Sequence, residues 1–95
     1  MVNFVELGNF LYKRRCMLKY TQEEVAAIIN ISDRTLRNIE YGTTGTDLET
    51  ILMLWDLYDL PAEDLFLYYS RDEIMDEMKK LYQNIKKQKI TAGKR

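Results

Sequence analysis

Apolar residues recur every three or four positions along most of the chain, which is the spacing of helices rather than of strands. This spacing predicts a first helix over about residues 4–18. A second helix is expected to begin after Thr21, because Glu24 stands three residues further on and the pair forms a capping box. The inner stripe of this second helix is predicted to consist of four apolar residues: Val25, Ala26, Ile28 and Ile29.

A short turn and a third helix follow directly on the second helix. Asn30 tolerates the left-handed conformation that such a turn requires. Ser32 is a favoured N-cap residue, and Gly42 is a favoured residue just beyond the end of a helix. Two helices joined by a short turn are therefore expected over about residues 21–42.

The second half of the chain also carries the signals of helices. Thr46 and Glu49 have capping-box spacing for a fourth helix, and Pro61 suits the first position of a short fifth helix. Ser70 begins another capping box, which opens a last helix that continues to about Lys89. The predicted fold class is therefore all-α, with five helices followed by an extra C-terminal helix.

The third helix is predicted to have one buried edge and one polar face. Leu36 and Ile39 fall on the inner side, with Glu40 at its margin. The opposite side carries Asp33, Arg34, Arg37, Asn38 and Tyr41. In the major groove of DNA, Arg pairs bidentately with guanine, Asn pairs with adenine, and Asp accepts from cytosine. Taken alone, this face also fits the solvated side of an ordinary helix, so both interpretations stand at this point.

Charge is distributed unevenly along the chain, although the total is only −1 at pH 7. Residues 1–39 carry six bases and four acids, residues 40–77 one base and eleven acids, and residues 78–95 seven bases and no acid. The basic end is able to contact a polyanion, but it also complements the dipole of the last helix. The acidic total argues against indiscriminate nucleic-acid binding, which positive net charge drives.

The residue types present exclude several kinds of chemistry. The chain has no His and a single Cys, Cys16, which excludes histidine-based catalysis, internal disulfides and Cys-cluster zinc sites. It offers no nucleophile–base pair, phosphate-binding Gly loop or metal-loop spacing, so we expect no enzyme, no cofactor and no metal site. We expect Cys16 to be a half-buried core residue. The longest apolar runs are five residues, too short for a membrane span, and we expect a cytoplasmic protein.

Residues 21–42 closely resemble the helix-turn-helix of the phage-repressor-like (Xre/Cro/CI) family of bacterial DNA-binding proteins. The matching positions are Thr21-Gln22, Val25-Ala26, Ile31-Ser32, Leu36, Ile39-Glu40 and Gly42. Asn30 and Lys19 stand where the family commonly has glycine. The resemblance covers about residues 4–68, and it implies a five-helix repressor-like DNA-binding domain with the last helix beyond it.

The resemblance also implies roles for the third helix as a recognition helix. Asp33, Arg34 and Asn38 match the base-reading positions of the family. Thr35 and Arg37 flank these positions and are expected to reach the DNA backbone or a base. A recognition helix places its N-terminal residues in the major groove, which agrees with these assignments.

Further residues match family positions that hold the DNA backbone or the fold. Gln22 matches a position that touches a phosphate and braces the base-reading side chains. Thr43 and Thr44 match the loop after the recognition helix, which touches phosphate in the family. Arg15 and Glu40 match a family salt bridge between the first and third helices.

The function that these observations predict is a sequence-specific, DNA-binding transcriptional regulator. We expect it to read a roughly palindromic operator in double-stranded DNA as a homodimer. The expected division is a helix-turn-helix DNA-binding domain over residues 1–68 and a candidate dimerisation element over residues 69–95. The alternative is a protein-interaction module with the same fold, such as an antitoxin, an anti-repressor or a co-activator-like bridge, which would act on a regulatory protein partner.

The last helix has an apolar stripe with heptad-like 4-3-4 spacing, formed by Ile74, Met78, Leu81 and Ile85. The stripe lasts less than two heptads, which is short for a coiled coil. Two arrangements stay open from the sequence: the helix pairs with a second copy of the chain, or it folds back on its own domain.

Overall fold

The backbone forms five α-helices and one 3₁₀ helix, with no strand among the described residues. The computed structural model describes residues 2–43 and 46–93, without the side chains of residues 81, 84 and 87–93. The elements are α1 (Phe4–Met17), α2 (Gln22–Ile29), α3 (Asp33–Tyr41), α4 (Leu48–Leu57), the 3₁₀ helix (Ala62–Leu67) and α5 (Arg71–Gly93). The predicted all-α fold is confirmed.

Side-chain caps begin the helices largely as predicted. The Thr21 hydroxyl accepts from Glu24 N–H at 3.1 Å, and the Glu24 carboxylate accepts from Thr21 N–H at 2.8 Å. Ser70 and Glu73 form the same reciprocal pair at the start of α5, with both distances 3.1 Å. These bonds satisfy backbone donors that have no partner within the helix.

The predicted capping box at Thr46 and Glu49 is wrong. Asp47 is the N-cap of α4, and its carboxylate accepts from Thr50 N–H at 3.3 Å. Asp is as good an N-cap as Thr, and a helix that starts one residue later has buried Leu48 as its first residue. Pro61 likewise precedes its helix as the N-cap, whereas a first-turn position was expected.

Left-handed residues mark two helix ends and two turns in the described part of the chain. Asn30 ends α2 with φ of 60°, as predicted, and Lys19 and Asp59 take φ of 63° and 52°. Gly42 ends α3 with φ of 69°, and a Cβ atom there would lie 2.6 Å from the carbonyl oxygen of Phe4. This position therefore requires glycine for two reasons, backbone conformation and close approach of the start of α1.

One hydrophobic core is formed by side chains from all of the helices α1, α2, α3 and α4 and from the 3₁₀ helix. Its fully buried side chains are Leu7, Leu11, Val25, Leu36, Ile51, Leu54 and Tyr58. The ring of Trp55 is buried as predicted, and its Nε1–H donates to the carbonyl of Pro61 at 2.9 Å. Phe10 and Tyr68 pack beside Trp55, with ring centroids 5.7–6.3 Å apart. This aromatic cluster attaches the 3₁₀ helix to α1 and α4.

Two residues expected inside the molecule lie outside it. Ile28 is 58% exposed, because the buried arc of α2 runs through Val25, Ile29 and Ala26 and Ile28 lies about 60° beyond its edge. Cys16 is also exposed, since it follows buried Arg15 by one residue on α1, and a rotation of about 100° per residue carries it outward.

The last helix leaves the domain after its first turn. Ile74 is half-buried and packs on the core, but no later side chain that the structure describes in α5 is buried. The molecule is accordingly elongated, with extents of 49, 28 and 23 Å. Over the part of the chain that is described, no helix is both long and apolar enough to cross a membrane.

Close packing of α1 on α3 depends on a glycine. A Cβ atom on Gly8 would lie 2.6 Å from the carbonyl oxygen of Glu40 and would also collide with the carbonyl oxygen of Ile39. Both neighbours are backbone atoms of α3, so neither is able to swing away. Only a glycine at this point lets the two helices approach this closely.

Replacement of Gly8 by Ala should therefore destabilise the domain, although alanine favours helices by about 1 kcal/mol over glycine. Forced overpacking costs typically about 1–3 kcal/mol, and backbone obstruction lies at the upper end. We expect the free energy of unfolding, measured by thermal denaturation, to fall by about 1–2 kcal/mol. Lys13→Ala, at an exposed position of α1, is the matched control. A Gly8→Ala protein as stable as the wild type would contradict this packing.

Candidate nucleic-acid interface

Helix α3 has the two faces that its sequence predicts. Leu36 and Ile39 are buried in the core and fix the helix against α1 and α2. On the other side, Arg34 and Arg37 are exposed along their length, and Asn38 is half-buried beside them. The hydrophobic contacts and the polar groups thus occupy opposite sides of one short helix, so substitutions on the polar side leave the core intact.

The turn between α2 and α3 is held by its own backbone. The N–H of Ile31 donates to the carbonyl of Ala26 at 2.9 Å, which closes the end of α2 around left-handed Asn30. Ser32 then caps α3 by accepting from Thr35 N–H at 3.0 Å. The backbone therefore sets the angle between the two helices, and α3 starts at the surface.

A buried ion pair connects α1 to α3. Arg15 donates from Nε to Oε2 of Glu40 at 2.6 Å and from Nη2 to Oε1 at 3.1 Å, a bidentate arrangement. The side chains are only 9% and 5% exposed. Arg15 also donates from Nη1 to the carbonyl of Tyr20 at 2.9 Å, which reaches the turn before α2. The salt bridge implied by the family resemblance is confirmed.

The electrostatics of this pair follow from its geometry. Hydrogen bonding to the Glu40 carboxylate raises the pKa of Arg15 above its already high value, so the guanidinium stays charged. Burial raises the pKa of the nearby Tyr58 hydroxyl, and the negative charge of Glu40 adds to the effect. Tyr58 thus stays neutral beside the pair, and the two opposite charges of Arg15 and Glu40 balance each other.

Glu40 also holds Gln22, the first residue of α2. Gln22 Nε2 donates to Oε1 of Glu40 at 2.8 Å. This contact joins the first turn of α2 to the inner edge of α3 through one carboxylate. Sequence reasoning missed it, because 18 residues separate the two side chains and no local pattern brings them together. A carboxamide has two N–H groups, so Gln22 keeps one N–H free for a ligand.

Of the three threonines expected at the interface, the structure describes Thr35 and Thr43. Thr35 is exposed, and its hydroxyl lies 2.8 Å from that of Ser32. Thr43 is exposed after α3, and its hydroxyl donates to the carbonyl of Asn38 at 3.4 Å. Thr44 lies outside the described residues. Asp33, the first residue of α3, is exposed as expected.

A cavity of about 280 Å³ extends this surface toward α1. Its lining residues are Asn9, Tyr12, Gln22, Glu40 and Tyr41. Asn9 and Tyr12 were not among the expected site residues, although their spacing of three places them on one side of α1. The guanidinium carbon of Arg15 lies 5.4 Å from the centre of the Tyr12 ring, which anchors that ring.

Comparison with known proteins agrees with this arrangement of helices. A family model described as helix-turn-helix matches residues 11–65, more than half of the chain. The HTH-type transcriptional regulator ImmR of Bacillus subtilis (strain 168) is 33% identical over 70 residues. The alignment covers 74% of this chain and 53% of that protein, so the chain spans about half the length of this curated relative.

The ion pair generates a stability prediction. Glu40→Ala leaves Arg15 buried without its counter-ion, and removal of one partner of a well-buried pair costs about 3–5 kcal/mol. We expect a large drop in melting temperature, measured by circular dichroism. Glu49→Ala removes an exposed carboxylate from α4 and should shift stability by less than about 0.5 kcal/mol. Equal melting temperatures for the two variants would contradict a structural role for the pair.

Proposed function

The chain belongs to the helix-turn-helix family, and from this membership we propose that it is a sequence-specific, DNA-binding transcriptional regulator. In this proposal α3 is the recognition helix and enters the major groove of double-stranded DNA. One observation supports it most: α3 presents exposed Arg34 and Arg37 with half-buried Asn38 on a face from which apolar side chains are absent up to Tyr41. A protein-binding face would need apolar anchors there.

The base-reading groups differ in what each is able to recognise. Arg34 and Arg37 each suit O6 and N7 of a guanine, and Asn38 suits N6 and N7 of an adenine. Asp33 accepts from the N4 amine of a cytosine and repels phosphate elsewhere, so it contributes to selectivity more than to affinity. Helix α3 therefore supplies donors from Arg34, Arg37 and Asn38 and acceptors from Asp33 and Asn38, which together distinguish several base pairs.

Contacts to the DNA backbone complete the proposed interface. Gln22 donates one amide N–H to Glu40 and the other N–H to a phosphate. The bond to Glu40 keeps the amide at a fixed distance from α3. Thr35 and Thr43 offer exposed hydroxyls near the two ends of α3. Thr44 lies outside the described residues and enters the proposal from the family resemblance alone. These groups are neutral, and the chain has a net charge of −1, so non-specific attraction to DNA is weak.

We further propose that the regulator is a homodimer on a roughly palindromic operator. One short recognition helix reads only a few base pairs, and a two-fold pair places two such helices about 34 Å apart, one turn of DNA. Residues 1–68 form the DNA-binding domain in this scheme, and residues 69–95 supply the dimer contact. The exposed apolar side chains of Met78 and Ile85 on α5 support this assignment.

Selection of bound sequences from random duplex DNA tests the DNA-binding proposal. We expect a two-fold-related motif whose half-sites include a guanine contacted by Arg34 or Arg37. Substitution of that arginine by Ala should cost about 1–3 kcal/mol at the selected site and relax preference at that one base. The fold should survive, because both side chains lie outside the core.

Lys80→Ala removes an exposed cation from the outer side of α5 and serves as the control. It should leave both affinity and base preference unchanged. An equal loss on every sequence would identify Arg34 or Arg37 as a phosphate contact. No enriched motif at all would contradict the regulator proposal and favour a protein-interaction module.

The dimer proposal predicts the effect of polar substitutions on α5. Met78→Gln combined with Ile85→Gln should shift the chain to monomer in sedimentation and weaken operator binding at least tenfold, about 1.4 kcal/mol. The DNA-binding domain should stay folded, because both side chains are more than half exposed. Lys80→Gln, on the outer side of α5, should change neither property. An unchanged dimer in the double variant would show that the interface lies elsewhere.

A further inference from the structure

Most of the described apolar side chains of α5 are left uncovered by their own domain. Met78 and Ile85 are 53% and 58% exposed, and Tyr82 on the same flank is 65% exposed. Among the side chains of α5 that the structure describes, only Ile74, near the start of the helix, packs on the core. Large apolar side chains that share one side of a projecting helix mark an interaction surface.

The intervals between the residues of the apolar stripe of α5 follow the same order from either end of the helix. Ile74, Met78, Leu81 and Ile85 follow one another at intervals of four, three and four residues. The centre of the pattern lies between residues 79 and 80. An antiparallel copy of the helix therefore sets position 74 opposite position 85 and position 78 opposite position 81. Every apolar position of the stripe gains an apolar counterpart in this register.

The charges of α5 divide at almost the same point. Residues 72–78 include four acids and no base, and residues 79–89 include five bases and no acid. In an antiparallel pair the acidic half of each helix lies along the basic half of the other. In a parallel pair like charges lie side by side, and the helix dipoles also repel. The pattern thus fits a second α5 running in the opposite direction.

The size of the domain favours the same direction. Antiparallel pairing about this centre sets the first residues of the two α5 helices about 25 Å apart along the axis, at 1.5 Å per residue. Parallel pairing sets them about 10 Å apart, the distance between packed helices. Each copy has minor extents of 28 and 23 Å, so two domains need the wider separation.

We propose that α5 pairs with α5 of a second copy of this chain in an antiparallel, two-fold interface. The inference rests on the proposed homodimer and specifies which surfaces pair and in which relative direction the two α5 helices run. Met75 and Tyr82 lie on one flank of the stripe, and the antiparallel register brings position 75 of one copy beside position 82 of the other. The two DNA-binding domains then extend from opposite ends of the paired helices.

Cysteine crosslinking of the full chain tests the direction of pairing. In a Cys16→Ser background, we compare Ile74→Cys alone, Ile85→Cys alone and the two together. Equivalent positions in an antiparallel pair lie about 16 Å apart along the axis. This exceeds the roughly 7 Å between Cα atoms that a disulfide tolerates, whereas position 74 faces position 85. Under mild oxidation the double variant should yield at least tenfold more covalent dimer than either single variant.

Two outcomes overturn the antiparallel pairing: efficient crosslinking of Ile85→Cys alone, which indicates parallel helices, or no crosslink in the double variant. Because Ile74 packs partly on the core, Met75→Cys with Tyr82→Cys, both at exposed positions, is a second pair. In the antiparallel register, position 75 lies about 3 Å along the axis from position 82 of the other copy and about 13 Å from its own equivalent. The double variant should therefore yield at least tenfold more covalent dimer than Met75→Cys alone. Far-ultraviolet circular dichroism verifies that each variant is folded.

Sedimentation of the Cys16→Ser protein separates failure of this inference from failure of the proposed function. A dimer with the wrong crosslinks overturns the antiparallel pairing and leaves the proposed homodimer intact. A chain that sediments as a monomer, both alone and on its selected DNA, overturns both. Binding to the selected DNA is measured in parallel, so the DNA-binding proposal is judged by its own result.

Discussion

The bidentate pair of Arg15 and Glu40 is the interaction on which the arrangement of the domain depends. It joins α1 to α3 inside the molecule, where two charges are tolerated only because they satisfy each other. The same guanidinium holds the carbonyl of Tyr20, and the same carboxylate holds Gln22. One polar contact thus fixes three elements, and Gly8 lets α1 and α3 come close enough for it to form.

The proposed function uses the side of α3 that does not pack in the core. Leu36 and Ile39 hold the helix in place, while Arg34, Arg37 and Asn38 stay available for a ligand. Gln22 belongs to α2, yet its bond to Glu40 ties it to the same rigid frame. A group positioned by a buried ion pair loses little conformational freedom on binding, which lowers the entropic cost of a phosphate contact.

Much of the fold could be predicted from the sequence, because its signals are local. The cap at Thr21, left-handed Asn30 and the two faces of α3 each depend on residues within one or two helical turns. The predictions of burial failed at Ile28 and Cys16, because each lies outside the arc of its helix that the fold buries. The prediction of a cap failed where two capping residues compete, as at Thr46 and Asp47. The salt bridge of Arg15 came from family resemblance, and the bond between Gln22 and Glu40 required the fold itself.

Methylation interference on the selected duplex shows whether α3 reads bases in the major groove, as we propose. Methylation of guanine N7 modifies the major groove, and methylation of adenine N3 modifies the minor groove. We expect N7 methylation at a guanine in each half-site to abolish binding, and N3 methylation within the half-sites to have little effect. Interference from N3 methylation alone, with no sensitivity at any guanine N7, would contradict the account.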